Sequence, residues 1–247
     1  MKISSSCYAI LGLGYSPPWV VNAGFIVGNN RTMVIDTGPS YIAAQTIYGY
    51  AHNVKPQNEI FVVNTEKHLD HISGNCFFSE KGIDVYGYEG IIRSDDDLQQ
   101  DINEWNDSIL NEKRRVLREE KIFFEGTHIL NPNKILKDGD SFDLGGITVE
   151  IISTKGHTQT NISVHVKDEK VLFTGDCIVG KYIPNLGGGN IDDWKIWTKS
   201  LELISTLDLK YVIPGHGNVL NDFEIGVEIE RIKNILEEAI NSGLPPV

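Results

Sequence analysis

What most constrains this chain is a local pattern that recurs along it. A short apolar, β-branched run is followed at once by a turn-forming loop carrying a residue able to ligate a metal. The run 59–63 leads into Thr65-Glu66-Lys67-His68-Leu69-Asp70-His71. The run 148–152 leads into Thr154-Lys155-Gly156-His157-Thr158, 171–173 into Thr174-Gly175-Asp176-Cys177, and 211–213 into Pro214-Gly215-His216-Gly217. An earlier run ends the same way, in Val34-Ile35-Asp36-Thr37-Gly38. Runs this short, bounded by turn residues, read as strands with a buried face. Repeated placement of the same chemistry just after strands predicts that these side chains converge on one pocket.

The other segments complete the layout. Residues 20–27 and 32–35 read as strands joined by a hairpin turn at Gly28-Asn29-Asn30, with further strands at 84–88 and 162–166. Helical spacing marks 40–52, 191–203 (Trp194, Trp197 and Leu201 on one face) and 227–240. Many short β-runs with hairpin turns fit a two-sheet sandwich flanked by helices better than a doubly wound parallel sheet. The expectation is therefore an α+β, αββα four-layer sandwich, with all 247 residues in one domain. Residues 90–126 stand apart as a polar, helix-forming insert in which Ile102, Trp105 and Ile109 share a face. It reads either as a cover for the site, with Trp105, Phe123 and Phe124 as apolar contacts, or as a solvated helical hairpin serving a homodimer contact.

The densest chemistry lies at 66–71, where four potential ligands fall within six residues. In extended chain, residues i and i+2 point the same way, so Glu66 and His68 face one pocket. A turn after Leu69 aims Asp70 and His71 at a neighbouring one. The plainer alternative is a polar helix N-terminus capped by Asp70. Against it, four of the seven histidines (His68, His71, His157 and His216) stand in these loops. His52, His128 and His165 receive no role. Asp36 either caps the helix that begins near Ser40 or orients a ligand from behind.

Taken together, these residues resemble the metallo-β-lactamase-fold hydrolases. That family's signature, His-x-His-x-Asp-His followed by a His, a bridging Asp and a final His, is matched in order by Glu66, His68, Asp70, His71, His157, Asp176 and His216. The resemblance implies seven metal ligands around two divalent ions, zinc first. It also implies Asp176 as a bridge, a bridging hydroxide attacking an ester, thioester, lactone or amide carbonyl, and Asp70 as a catalytic proton acceptor. An Asp at position 176 places the chain nearer the glyoxalase II and lactonase branches than the true class B β-lactamases.

One position departs from the signature: Glu66 stands where the family has its first His. Three carboxylates, a hydroxide and two divalent ions then sum to neutrality, one unit more negative than the family norm. An oxygen donor here shifts preference from zinc towards manganese or iron. It also keeps alive a rival reading, an iron-dependent oxidoreductase acting on a thiol, persulfide or oxygen.

Composition narrows the partners. Twenty-two basic against 34 acidic residues give a net charge of −12, which argues against nucleic acid or an anionic membrane and leaves a small-molecule substrate. Three cysteines, Cys7, Cys76 and Cys177, are too few and odd for a disulfide framework, and no signal-like apolar run opens the chain. The expectation is a cytoplasmic protein with structural cysteines.

Overall fold

Alternation along the strands decides the layers. In β3 (Arg31–Ile35), Met33 and Ile35 point to one side and Val34 to the other; in β4 (Glu59–Val63), Phe61 and Val63 oppose Val62. The first set meets Ile162, Val164 and Val166 of β9 (Ile162–Val166) and Val171 and Phe173 of β10 (Val171–Phe173) in the central core. Each apolar side chain buried there contributes on the order of 1.5–3 kcal/mol. The computed structural model describes residues 1–14, 20–108 and 116–245, with the backbone alone given for 105–108 and 116–119.

Among the described residues each sheet has six strands. The first runs in the order β1 (Cys7–Leu13), β2 (Val21–Val27), β3, β4, β5 (Val85–Tyr88), β6 (Lys134–Leu136). The second runs β12 (Leu220–Asn221), β11 (Tyr211–Ile213), β10, β9, β8 (Thr148–Ser153), β7 (Ser141–Asp143). Strands β3 to β6 are mutually parallel, as are β10 and β11, so several strand ends reach the same edge of the sandwich.

Helices cover both outer faces. Ala44, Ile47 and Ala51 of α1 (Tyr41–Val54) join Phe77 and Phe78 of α3 (Asn75–Glu80) against Phe25, Val34 and Val62 of the first sheet. Between them in sequence lies the single turn α2 (Leu69–Ile72). On the second sheet, α6 (Ile191–Ser205) and α7 (Asp222–Ser242) bury Trp194, Trp197, Leu201, Ile229, Ile232 and Leu236 over Leu172 and Val212. The αββα sandwich expected from the sequence is the fold observed.

The insert forms α4 (Asp95–Ser108) and α5 (Val116–Phe123). Ile91, Leu98, Ile102 and Phe124 pack with Leu69 and Ile72, which seats it directly on α2. The side chain of Trp105 and all of Ile109 lie outside the described residues.

Four strands escape the sequence reading. β1 is an edge strand with a half-exposed outer end, preceded by three serines, and β6, β7 and β12 are too short to show a period. α7 starts at Asp222, earlier than the apolar spacing suggests. Asn221 caps Phe223 and Glu224, and Glu224 returns a bond to the Asn221 N–H, so polar capping starts the helix ahead of its apolar stripe.

Candidate metal centre

Each loop that carries a site residue is fixed by its neighbours. The chain leaves β4 at 64 and bends through 66–68 rather than staying extended, and it still brings Glu66 and His68 together: His68 Nδ1 lies 2.7 Å from Glu66 Oε1. His68 is the residue before α2, with its side chain turned to Glu66 rather than to the helix, and the turn of α2 carries Asp70 and His71. His157 sits on the loop after β8, pressed against α6. Gly156 has φ +135°, and a Cβ there would lie 2.2 Å from the Trp197 Cβ, so only glycine allows this approach. Asp176 lies in the 3-10 turn after β10 and His216 just past β11. A Cβ on Gly215 would fall 1.9 Å from Asp176 Oδ1, which explains the glycine before His216.

The seven residues read from the sequence come together in two adjoining groups: Glu66, His68, His157 and Asp176, and Asp70, His71 and His216. Within each group the potential ligand atoms lie within 4.8 Å of one another. His157 Nε2 is 3.1 Å from His68 Nδ1 and 3.8 Å from Glu66 Oε1. His216 Nε2 is 3.2 Å from Asp70 Oδ2. Asp176 stands between the groups, with Oδ2 3.5 Å from His157 Nε2 and 3.2 Å from His216 Nε2, and Oδ1 3.2 Å from His71 Nε2.

Asp36 resolves in favour of the orienting role, since the Ser40 side chain caps α1. Its buried carboxylate accepts bonds from the Thr65 N–H and hydroxyl, both at 2.7 Å, and from His71 Nδ1 at 2.9 Å. With Nδ1 donating, His71 presents the lone pair of Nε2 to the pocket. His216 is aimed likewise, its Nδ1 donating to the Val20 carbonyl at 2.7 Å. Asn22 ties the same loop down through Pro214 O and Gly217 O at 2.9 and 2.8 Å. The sequence reading assigns neither Val20 nor Asn22 a role. A backbone acceptor such as Val20 O leaves no mark in a sequence, whereas Asn22 does leave one, a polar residue inside an apolar strand. The Trp197 ring, 5.1 Å from that of His157, closes the far side.

Electrostatically the cluster is made for cations. Burial pushes Asp70 up, but His71 and His216 outweigh it and hold the carboxyl at about 2. Asp176 is driven well below the usual range in the same way, mainly by His216 and His71. Burial opposes protonation of His71 and His216, yet the facing carboxylates raise both well above an ordinary histidine. For His157 burial prevails and the value falls. Glu66 likewise raises His68 against its burial, so without another cation the carboxylates favour protons on the rings of His68, His71 and His216, and metal entry must displace them.

Metal ions fit these residues. Glu66 Oε2, His71 Nε2 and Asp176 Oδ1 are buried with no hydrogen-bond partner among the described residues. Such groups are costly to leave unpaired, and a divalent ion satisfies them. Imidazole nitrogen with carboxylate oxygen is a donor set for zinc, manganese or iron. Cys177 belongs to neither group; burial pushes its thiol up to about 12, as expected of a structural cysteine. Cys7 and Cys76 are buried and unpaired as well.

Known proteins resemble this chain to differing extents. The model of the metallo-beta-lactamase superfamily matches residues 16–216. The acyl-coenzyme A thioesterase MBLAC2 of Gallus gallus is 26% identical over 210 residues, covering 80% of this chain and 73% of its own. A beta-lactamase-like protein 2 homolog of Caenorhabditis elegans is 30% identical over 240 residues, covering 96% of this chain and 68% of its own. Among solved structures, a metallo-beta-lactamase family protein of Thermus thermophilus superposes with a TM-score of 0.70 at 18% identity, over 96% of this chain and 81% of the other, a likeness of fold.

Proposed function

Since the chain belongs to the metallo-β-lactamase superfamily, we propose that it is a metal-dependent hydrolase of small-molecule esters, with thioesters as the favoured class. The observation that carries the reading is Asp176, whose two oxygens face histidines of both ligand groups at 3.2–3.5 Å. A carboxylate so placed can serve two ions at once. Glu66, His68 and His157 would hold the first ion and Asp70, His71 and His216 the second, with Asp176 common to both. Zinc is the first candidate, and the Glu66 oxygen favours manganese or iron more than a His would. When bound, such a pair supplies Lewis-acid polarisation of the carbonyl and a nucleophile at neutral pH.

The chain's own residues do the rest. Asp70 is the most open of the three carboxylates, with 24% of its side chain exposed against 0% for Glu66 and 9% for Asp176. Held at about 2, it stays ionised through the neutral range and accepts a hydrogen bond that orients the attacking group. Asp36 and the Val20 carbonyl hold His71 and His216 in the ligating tautomer. The insert, seated on α2, acts as a cover on the substrate side. Its Asp101 lies within electrostatic reach of both Asp70 and His68.

The decisive experiment is metal analysis of protein purified without added metal, followed by chelation and re-addition while hydrolysis of a model acyl thioester is followed. Two equivalents of zinc or manganese with restored turnover support the reading. Tightly bound iron with oxygen uptake and no hydrolysis would favour the oxidoreductase alternative that Glu66 admits.

A further inference from the structure

The two ligand groups are aimed by different means. In the second, Asp36 and the Val20 carbonyl take the Nδ1 protons of His71 and His216. His157, in the first, has no such guide: its Nδ1 is buried without a hydrogen-bond partner among the described residues. Its aim must come from the loop that carries it and from packing against Trp197. That loop, 154–161, is closed by Asn161, which is fully buried. The Asn161 carbonyl accepts from the Thr154 N–H at 3.1 Å, and its side-chain Nδ2 donates to Thr154 Oγ1 at 3.0 Å.

The same residue reaches the other loops of the first group. Asn161 Nδ2 also donates to the Thr174 carbonyl at 3.1 Å, two residues before Asp176, with the Ile162 carbonyl at 3.3 Å. Only an amide nitrogen can serve carbonyl acceptors, so the orientation of the side chain is set. The next N–H along, that of Ile162, donates to the Thr65 carbonyl at 2.8 Å, directly before Glu66. The loops of Glu66, His157 and Asp176 therefore meet at Asn161 and its neighbour; with His68 these residues are the whole first group. Among the described residues no hydrogen bond joins Asn161 to α2 or to the loop after β11, which carry Asp70, His71 and His216. The Asp176 loop has a second tie, since the Gly215 N–H donates to the Gly175 carbonyl at 2.8 Å, whereas His157 depends on its own loop. Stability alone does not account for an asparagine at 161. Its Oδ1 is buried with no partner among the described residues, a cost that a small apolar side chain would avoid.

We propose that Asn161 is the positioning residue of the first ligand group, holding the His157 loop in place against Asp176 and Glu66 so that a metal ion is gripped there. This rests on the metal-centre reading and extends it to a residue outside the ligand set.

The test uses the full chain, zinc and a chromophoric competing chelator, with each group read alone: His216→Ala leaves the first group intact, and His68→Ala the second. Asn161→Ala should weaken zinc binding about tenfold in the His216→Ala chain, the low end for losing an orienting partner. In the His68→Ala chain the loss should stay below about threefold, as expected of sites that share no partner. Thermal unfolding of the metal-free protein is followed alongside, because a merely structural residue would lower the midpoint and weaken both chains alike. Thr154→Val keeps the side-chain shape and removes the acceptor at 3.0 Å, so it should show the same selective loss even where Asn161→Ala does not fold. Ser163→Ala, which removes the other partner of Thr154 Oγ1 at 2.8 Å, should not. Equal losses in the two chains, or none in either, would overturn the proposal. If the selective loss is seen but wild type hydrolyses no thioester, the hydrolase reading fails while the role of Asn161 stands.

Discussion

Replacing Asp36 by Asn isolates the tautomer of one metal ligand. Asp36 accepts three hydrogen bonds, two from Thr65 and one from His71 Nδ1 at 2.9 Å. Its φ is +59°, a conformation that Asn tolerates better than most residues, so the backbone should hold. If the Asn oxygen keeps the Thr65 N–H, its NH₂ group faces the Thr65 hydroxyl and His71 Nδ1. That nitrogen can no longer donate. The proton moves to Nε2, the atom that faces Asp176 at 3.2 Å and would otherwise hold the metal. Loss of such an orienting partner typically weakens metal binding 10–100-fold, or about 1.4–2.7 kcal/mol.

The assay is a competition titration against a chromophoric chelator, with thermal unfolding of the metal-free protein alongside. Thr65→Val is the control. It removes one hydroxyl bond to Asp36 and should cost about 1 kcal/mol of stability, while leaving the Asp36–His71 bond and hence metal affinity within threefold of wild type. Equal affinities in wild type and Asp36→Asn would refute the tautomer argument. Equal losses in Asp36→Asn and Thr65→Val would show only a loosened loop.

The remaining predictions are shorter. Glu66→His should retain two zinc ions per chain and move the activity profile to lower pH, whereas Glu66→Ala should lose the first ion alone; identical metal content in all three proteins would mean that Glu66 is no ligand. Arg231→Lys should cost about 2 kcal/mol, because the guanidinium donates to Val179 O at 3.1 Å, Tyr182 O at 2.7 Å and the buried Glu228 at 2.6 Å, a fork that an ammonium cannot reproduce. Thermal unfolding checks it, and an unchanged midpoint would show that the loop does not depend on α7. Burial lowers His165 below an ordinary histidine, so below about pH 6.5 the unfolded chain takes up a proton that the folded chain refuses. That contribution to stability is present above pH 6.5 and lost as pH falls; His165→Gln should flatten the denaturation midpoint between pH 7 and 5, and a slope as steep as wild type would contradict it.

Much of the candidate site was legible because its ligands are side chains placed just after strands that are themselves easy to read. Val62, Val63, Leu172, Phe173, Val212 and Ile213 are all buried, and each run ends where the ligand loop begins. The short apolar runs and the turn residues that bound them located the strand ends, and the strand ends located the chemistry. What supports the ligands was less visible. Val20 contributes a carbonyl, which any residue could supply. Trp197 reads equally well as core, and it does fill the core of the helical layer while also bordering His157. Of the fold, β6, β7 and β12 were hidden by length: two or three residues cannot show alternation, and pairing with a longer neighbour makes them strands.

Glu66 shows why one changed letter did not break the reading. A lone carboxylate with no exposed surface would ordinarily count against a fold, since burial alone disfavours its charge. Here it faces nitrogens of His68, His71 and His157 within 3.8 Å, and their combined field brings its carboxyl below the usual range in spite of that burial. The same three rings would be too crowded to hold protons together, because each positive ring raises the cost of the next. A divalent ion removes the conflict by replacing several partial occupancies with one fixed charge shared among the donors. Glu66 is therefore accommodated by the rings that face it, and the same ring of nitrogens around a buried carboxylate is what a cation-binding set would need.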